Sequence, residues 1–353
     1  MLRTADGVNL AWASVGTGPA LVRASTWLTH LEHDWNSPVW RHWLDFLAGH
    51  FHLIRYDERG CGLSDWEADN YSSDCWFSDF DAVVDAAEPK KPFTILGISH
   101  GAVAAISYAV RFPENVSHLI LCGGYARGWG ERDNSDGAQQ FRAIIQLTRL
   151  GWGQDNPVYR QLFTSRFVPE GTPEQLDWFN ELCAKTTKPE VAARLLEERT
   201  RANVEELLPN VNVPTLVMHA TDDAVVPLSE GRLIAAKIPN ARFVQLESKN
   251  HVLLEHEPAW ERFKEEVLQF TGIEAAEDAE DPIFSVLSPR EREVLVHMAA
   301  GETNSQIGSN LFISEKTVRN HITHVFEKLG VKSRAQAIVL AKDKRLNRGA
   351  VAK

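Results

Sequence analysis

Short runs rich in Val, Ile and Leu fall at residues 20–24, 52–56, 93–97, 117–122, 214–219 and 242–246. Segments with helical spacing of apolar residues, such as 100–112, 229–237 and 258–271, separate them. Brief, nearly continuous apolar runs predict strands buried on both faces. Their alternation with helices predicts an α/β fold, a mostly parallel doubly wound sheet covered on both sides. The rhythm breaks between about 125 and 208, where helical stretches follow one another with no strand-like run. An inserted helical cap explains the break. Its aromatic residues, Trp129, Trp152, Trp178, Phe141, Phe163, Phe167 and Phe179, serve either as the cap's own core or as the wall of a pocket for an apolar ligand.

The last 70 residues follow helix-capping rules. Ser288-Pro289-Arg290-Glu291 is a capping box with proline at the first helical position. Val294, Leu295, Met298 and Ala299 form the apolar face of that helix, and Gly301 stops it. A second helix is predicted over about 304–311, with Ile307 and Leu311 inward, followed by a turn at Phe312-Ile313-Ser314. Ser314 caps a third helix of about 315–329, on which Val318, Ile322, Val325 and Leu329 share one face. Lys316, Asn320, Thr323 and Glu327 point the other way, with Arg319 on the flank. Gly330 ends it, and Ser333-Arg334-Ala335-Gln336 opens a fourth helix with another capping box. Four short helices with a tight turn between the second and third match a helix-turn-helix module.

Charge sharpens the division. Residues 1–283 hold 25 Lys and Arg against 42 Asp and Glu, a balance of −17, while residues 284–353 hold 12 against 6, a balance of +6, giving −11 for the chain. An acidic body repels nucleic acid and a basic tail attracts it. The acidic, proline-ended stretch Glu274-Ala275-Ala276-Glu277-Asp278-Ala279-Glu280-Asp281-Pro282 has the composition of a solvated linker. The expected domains are therefore 1–272, with the cap at about 125–208, a linker at 273–283, and a helix-turn-helix domain at 284–353. A content of 44% apolar and 24% charged residues excludes a disordered chain, a collagen-like one and a disulfide scaffold. No apolar run approaches the ~20 residues of a membrane helix, and the first residues lack a signal-peptide core. Cys61, Cys75, Cys122 and Cys183 lie far apart with no metal spacing. The expectation is reduced thiols in a cytoplasmic protein, with no metal and no cofactor.

Candidate chemistry centres on Gly97-Ile98-Ser99-His100-Gly101, a G-x-S-x-G between the strand Phe93-Thr94-Ile95-Leu96 and a helix-like run. Such a turn exposes the serine above the sheet, at the positive end of the helix dipole. A serine nucleophile needs a base, and the base needs an orienting carboxylate. Asp222 and Asp223 follow the run 214–219, and His251 and His256 follow 242–246. These segments resemble the α/β-hydrolase superfamily. Its acid loop, D-x-x-V-P, selects Asp223. Its histidine loop, in which an acidic residue and a proline follow the histidine, selects His251. The segment Asp57-Glu58-Arg59-Gly60-Cys61-Gly62-Leu63-Ser64-Asp65 resembles the family's D-x-R-G-x-G-x-S-D turn and reads as structural, with Asp57 and Arg59 tying loops together. The resemblance implies a catalytic set of Ser99, Asp223 and His251. The chain departs from the family at Val22-Arg23-Ala24-Ser25-Thr26-Trp27-Leu28-Thr29-His30, where no glycine follows the strand. The oxyanion donors are then the backbone N–H groups of His100 and Trp27, and loss of one such donor costs about 10²–10³ in rate. Arg23 and Arg55 sit in buried strands and are expected to need carboxylate partners. His30-Leu31-Glu32-His33-Asp34 reads as a loop at the pocket mouth rather than a metal site.

The tail resembles the LuxR-type DNA-binding domain through Leu287-Ser288-Pro289-Arg290-Glu291-Arg292-Glu293-Val294-Leu295, Ala300 to Gly308, Ile313-Ser314-Glu315-Lys316-Thr317-Val318-Arg319-Asn320-His321-Ile322 and Lys328-Leu329-Gly330-Val331. The resemblance implies a bacterial transcription regulator that dimerises through its fourth helix. The third helix would enter the major groove, with Arg319, Asn320 and Thr323 reaching base edges. Lys316, Thr317, Lys328, Lys332 and Arg334 would hold the phosphate backbone. Expected partners are double-stranded DNA, a small-molecule ligand and a second copy of the chain, with RNA polymerase as a further candidate and no membrane. The leading reading is a ligand-responsive regulator sensing a small apolar carbonyl compound near Ser99. The alternatives are an active serine hydrolase, esterase- or lactonase-like, that turns over its signal while regulating transcription, and a hydrolase half that serves assembly alone.

Overall fold

The computed structural model describes residues 1–132, 135–152, 164–273, 282–299, 301–311 and 313–343. The chain divides into two compact units, Met1–Ile273 and Glu274–Lys353. Residues 274–281 of the expected linker, together with Phe163 and Phe312, lie outside the described residues.

The first unit is built on a seven-stranded sheet of order β3-β5-β4-β6-β7-β8-β9. Its strands are β3 (Trp12–Val15), β4 (Ala20–Ala24), β5 (His52–Tyr56), β6 (Phe93–Ile98), β7 (Val116–Cys122), β8 (Thr215–Ala220) and β9 (Arg242–Leu246). All neighbours pair in parallel except β3, which runs antiparallel to β5. A small hairpin of β1 (Leu2–Arg3) and β2 (Asn9–Leu10) precedes them. The apolar runs read from the sequence are the parallel strands. The edge strand β3 was not anticipated because three of its four residues are exposed and carry no apolar run.

The two-residue period of each strand divides its side chains between two cores. Leu21, Leu53, Leu96, Ile120 and Leu216 face one side, with Trp43 of α1 (Arg41–His50) and Phe263 of α8 (Pro258–Thr271). Val22, Ile54, Ile95, Leu119 and Val217 face the other, with Phe80 of α2 (Ser73–Ala87), Val103 of α3 (Gly101–Arg111) and Ile234 of α7 (Leu228–Lys237). Between β7 and β8 lie α4 (Ser135–Gly151), α5 (Pro173–Thr186) and α6 (Pro189–Arg201). Thr172 and Gln175 close a reciprocal capping box at the start of α5. Only an isolated bridge, Arg127 to Asn203, interrupts the helical character of the described cap residues. Strands β5 and β6 lie on opposite sides of β4, so the connections diverge there and a crevice opens at the strands' carboxyl ends. Ser99 and Trp27 lie just past two of those ends.

The second unit is helical: α9 (Pro289–Ala299), α10 (Asn304–Asn310), α11 (Glu315–Leu329) and α12 (Arg334–Asp343), after a short 3₁₀ turn at Pro282–Val286. Val294, Leu295, Met298, Ile307, Val318, Val325, Leu329 and Ala337 form its core. Ser288 and Glu291 make both bonds of the predicted capping box. The second box is incomplete. Ser333 accepts from the Gln336 N–H at 3.2 Å, but the Gln336 carboxamide accepts from Lys332, one residue short of the expected partner. Gly301 and Gly330 have φ of 87° and 66°, the left-handed conformation that ends a helix cheaply only with glycine.

Candidate functional site

Ser99 has φ of 52°, a left-handed conformation that costs a residue with a Cβ about 1–2 kcal/mol. The fold holds it there by close approach on both sides. A Cβ on Gly97 would lie 2.8 Å from Ala102 Cα, and one on Gly101 would lie 2.9 Å from the Ala24 carbonyl oxygen. The Ser99 N–H donates to Cys122 O at 2.9 Å, and its side chain is left half-buried at the head of α3.

Asp223 and His251 meet. His251 Nδ1 lies 2.6 Å from Asp223 Oδ2, and Asp223 Oδ1 accepts from the N–H groups of Val225 and Val226 at 2.8 and 2.9 Å. Burial alone would raise the Asp223 pKa, but His251, His219 and the Val226 N–H hold it below the usual carboxylate range. The ionised carboxylate therefore fixes the proton on Nδ1 and leaves Nε2 as the basic nitrogen. His251 Nε2 is buried without a hydrogen-bond partner among the described residues. Asp222 and His256, the neighbouring alternatives, are exposed.

A small pocket of about 60 Å³ opens at Ser99. Its floor is Thr26, Trp27, Ser99 and His100, and its walls include Tyr125, Trp129, Phe141, Ile144, Phe167 and Leu196. The cap aromatics thus divide. Trp129, Phe141 and Phe167 line the pocket, while Trp178 and Phe179 are buried in the core and Trp152 stacks on Trp27 at 5.3 Å. Phe167 holds His251 from above, its carbonyl accepting the His251 N–H at 2.9 Å and its ring lying edge-on at 5.5 Å.

Beneath the pocket lies a buried polar network. His100 Nδ1 is 3.1 Å from the Tyr125 hydroxyl, and Trp76 packs edge-on against the ring. Burial, aided by the nearby Arg199 charge, keeps the imidazole neutral, far below its ordinary pKa. Glu58 pairs with Arg199 of α6, whose guanidinium also lies over the rings of Trp27 and Trp76.

The structural turn behaves as its sequence suggests. Asp57 accepts from the N–H groups of Leu31 and Leu63, and Arg59 bridges Asp79, Asp6 and the Asn70 carbonyl. Arg55 finds its carboxylate in Asp34, at 2.8 Å. Arg23 differs: it lies over the Trp40 ring at 4.5 Å, makes no ion pair among the described residues, and burial lowers its pKa to about 10. The loop 30–34 also departs from expectation. It does not line the pocket, because Asp34 is drawn inward to Arg55 and the His33 ring stacks on Trp178 at 5.0 Å.

In the second unit, Ser314 caps α11 by accepting the Thr317 N–H at 3.1 Å. Lys316, Arg319, Asn320 and Thr323 are exposed along one side of that helix, as is Lys332 beyond it. Thr317 is half-buried, its hydroxyl 2.8 Å from that of Ser314. Two residues expected on the phosphate backbone also have partners within their own unit. Lys328 ties α11 to α9 through Glu291 at 2.6 Å, and Arg334 reaches Asn304 and the Glu302 carbonyl. Their basic character was legible, but their packing partners, 37 and 30 residues away, were not.

The model of the alpha/beta hydrolase fold family matches residues 27–258, well over half of the chain. The chain belongs to the alpha/beta hydrolase fold family. Residues 285–341 match the luxR family of bacterial regulatory proteins, so its tail is a LuxR-type helix-turn-helix domain. Among curated proteins, the tail is 56% identical over 54 residues to the spore germination protein GerE of Bacillus subtilis, covering 15% of this chain and 73% of that one. The front unit is 26% identical over 260 residues to a putative non-heme bromoperoxidase, BpoC, of Mycobacterium tuberculosis, covering 69% and 91%. Among solved structures, the esterase RhEst1 from a Rhodococcus species superposes with a TM-score of 0.63 at 25% identity, covering 77% and 97%.

Within this hydrolase-fold unit, the residues that sequence reasoning missed are Glu58, Tyr125, Arg166, Arg199 and His219. Arg199 left one usable trace. It lies three, four and seven residues after Leu196, Leu195 and Ala192, on the buried face of α6, where a charged residue is unexpected unless it is paired. His219 gave none. Its Nε2 bonds the Val226 carbonyl at 2.9 Å and stands 3.7 Å from Asp223. Among the described residues, no helix is long and apolar enough to cross a membrane.

Proposed function

We propose that this chain is a ligand-responsive transcriptional regulator. A small carbonyl compound binds in the pocket at Ser99 and biases the LuxR-type tail between arrangements that differ in DNA affinity. The observation that carries the reading is the coexistence, in one chain, of an open apolar pocket over a strained serine and a DNA-reading helix whose polar face is exposed. A cavity remains at Ser99 instead of being packed solid by the cap's tryptophans, which argues against a role in assembly alone. The ligand must bind one arrangement better than the other, or it shifts nothing. A second copy, paired through α12, supplies the second recognition helix for a two-fold site. RNA polymerase is the further partner such a regulator meets. A tail that reads duplex DNA works where the chromosome is, the bacterial cytoplasm. The test is mass spectrometry of small molecules carried by the purified full chain, followed by titration of the compound found against duplexes selected from a random pool. Affinity should change at least fivefold on saturation; an unchanged affinity refutes ligand control.

A second reading is favoured by the 2.6 Å Asp223–His251 contact and the left-handed Ser99: a serine hydrolase that consumes its own signal. Ser99 Oγ attacks the carbonyl as its proton passes to His251 Nε2. The backbone N–H groups of His100 and Trp27 receive the oxyanion. Collapse expels the alcohol, which takes the proton from His251, and water then releases the acid with His251 again acting as base. Short aryl esters report this directly. Turnover should fall by at least about 10³ in Ser99→Ala, and equal rates in the two proteins remove the enzymatic reading.

A further inference from the structure

The pocket that leads to Ser99 is apolar in its walls, yet two guanidinium groups line it, those of Arg166 and Arg199. Arg199 is 6% exposed. Glu58 takes its Nη2, while Nε and Nη1 are buried with no acceptor among the described residues. Among the described residues, Arg166 bonds the Ala224 carbonyl alone, through Nε and Nη2 at 3.3 and 2.8 Å, and has no carboxylate partner. The nearby Asp223 is already committed to His251 and two backbone N–H groups. Glu58 and the ionised Asp223 balance these two positive charges, so what a ligand would meet is not a net charge but the guanidinium N–H positions left without acceptors. Buried donors without acceptors are costly. A planar guanidinium with open N–H positions is matched best by a planar oxyanion. Apolar residues alone would have been a better lining for a neutral hydrocarbon ligand.

We propose that the ligand of this pocket is an acyl compound bearing one carboxylate, which Arg199 and Arg166 hold while its apolar part lies against Trp129, Phe141, Ile144 and Leu196. This rests on the ligand-binding reading above and narrows it to a chemical class. The open guanidinium donors supply the orientation that an apolar wall cannot, directing the head group away from the hydrocarbon-lined end and setting which carbon faces Ser99.

The test compares octanoate with its neutral isostere octanamide, by isothermal titration calorimetry on the full chain at neutral pH. Octanoate should bind at least about tenfold more tightly, the usual scale of a charge-assisted hydrogen bond. Arg166→Gln should reduce that preference severalfold while leaving octanamide affinity unchanged. Because Arg199→Gln alone strands Glu58, the double variant Glu58→Gln/Arg199→Gln, which removes both charges, is the second arm, and it should also lose preference for the acid. Equal affinity for acid and amide in the parent chain, or an acid preference that survives in both variants, overturns the proposal and leaves ligand control standing. Binding of neither probe overturns both.

Discussion

The two units place their charges in opposite ways. In the hydrolase-fold unit, ionic groups go inside: Arg55 with Asp34, Arg59 with Asp79, Arg199 with Glu58, and Asp223 with His251 are all buried pairs. In the tail, the charges proposed to meet DNA stay outside, on the exposed face of α11, where among the described residues Arg319 pairs with the solvated Glu315 at 3.4 Å. On the function proposed above, the difference follows from what each would recognise. A pocket that grips a small molecule works in low dielectric, where each charge must be compensated and each orientation is fixed. A helix that tracks a polyanion needs mobile, hydrated charge, and gains from release of counterions.

The largest effect expected from this contrast is in the front unit. Arg59→Met leaves Asp79, already burdened by burial, without its bidentate partner. It should lower stability by about 3–5 kcal/mol, read as a fall in the midpoint of urea unfolding. A loss under 1 kcal/mol would mean the buried pair is no more consequential than a surface one. Next comes the recognition helix. Arg319→Ala should weaken binding to a selected duplex by about 1–3 kcal/mol and relax preference at one base pair, whereas Lys316→Ala should weaken all duplexes alike and reduce the salt slope by about 1. If neither moves an anisotropy titration, α11 is not the reading helix. Lys328→Ala sharpens the comparison at the small end. Since Lys328 is spent on Glu291, its removal should alter DNA affinity less than Lys316→Ala and reduce stability by at most about 1 kcal/mol.

The same brace makes a pH prediction. The Glu291 carboxyl is buried in the fold, a factor that raises its pKa, but Lys328 and the Ser288 N–H outweigh it and hold the pKa at about 2. A carboxyl with a depressed folded-state pKa stabilises above its ordinary value near 4.5 and loses that contribution as pH falls toward 2. Helicity followed by circular dichroism should therefore decline over that window in the parent chain. Glu291→Gln should start less stable at neutral pH and show a smaller decline. An identical acid profile in both would assign the brace no role.

How much was legible differs between the units for a physical reason. The tail's helices are specified by neighbours within one turn: Ser288 with Glu291, Thr303 with Gln306, Ser314 with Thr317. Local capping and 3.6-residue spacing therefore gave its helix boundaries almost to the residue. The front unit's parallel strands were equally plain, since burial on both faces writes a continuous apolar run. Its short antiparallel edge was not, because an exposed strand of four residues leaves little pattern. The polar network under the pocket was harder still. Glu58 and Arg199 are separated by 141 positions, and nothing local in either marks the other.

Sequence alone determined the α/β alternation, the helical cap between strands, the serine turn with its candidate acid and base, and the basic helix-turn-helix tail. Each is encoded by a period, a cap or a contiguous motif, that is, by interactions over a few residues. Tertiary structure decided which basic residues are free and which are spent, which aromatics line the cavity, and that two arginines converge on it. Those outcomes depend on burial and on partners brought together by folding, and burial is a property of the whole packed chain rather than of any segment.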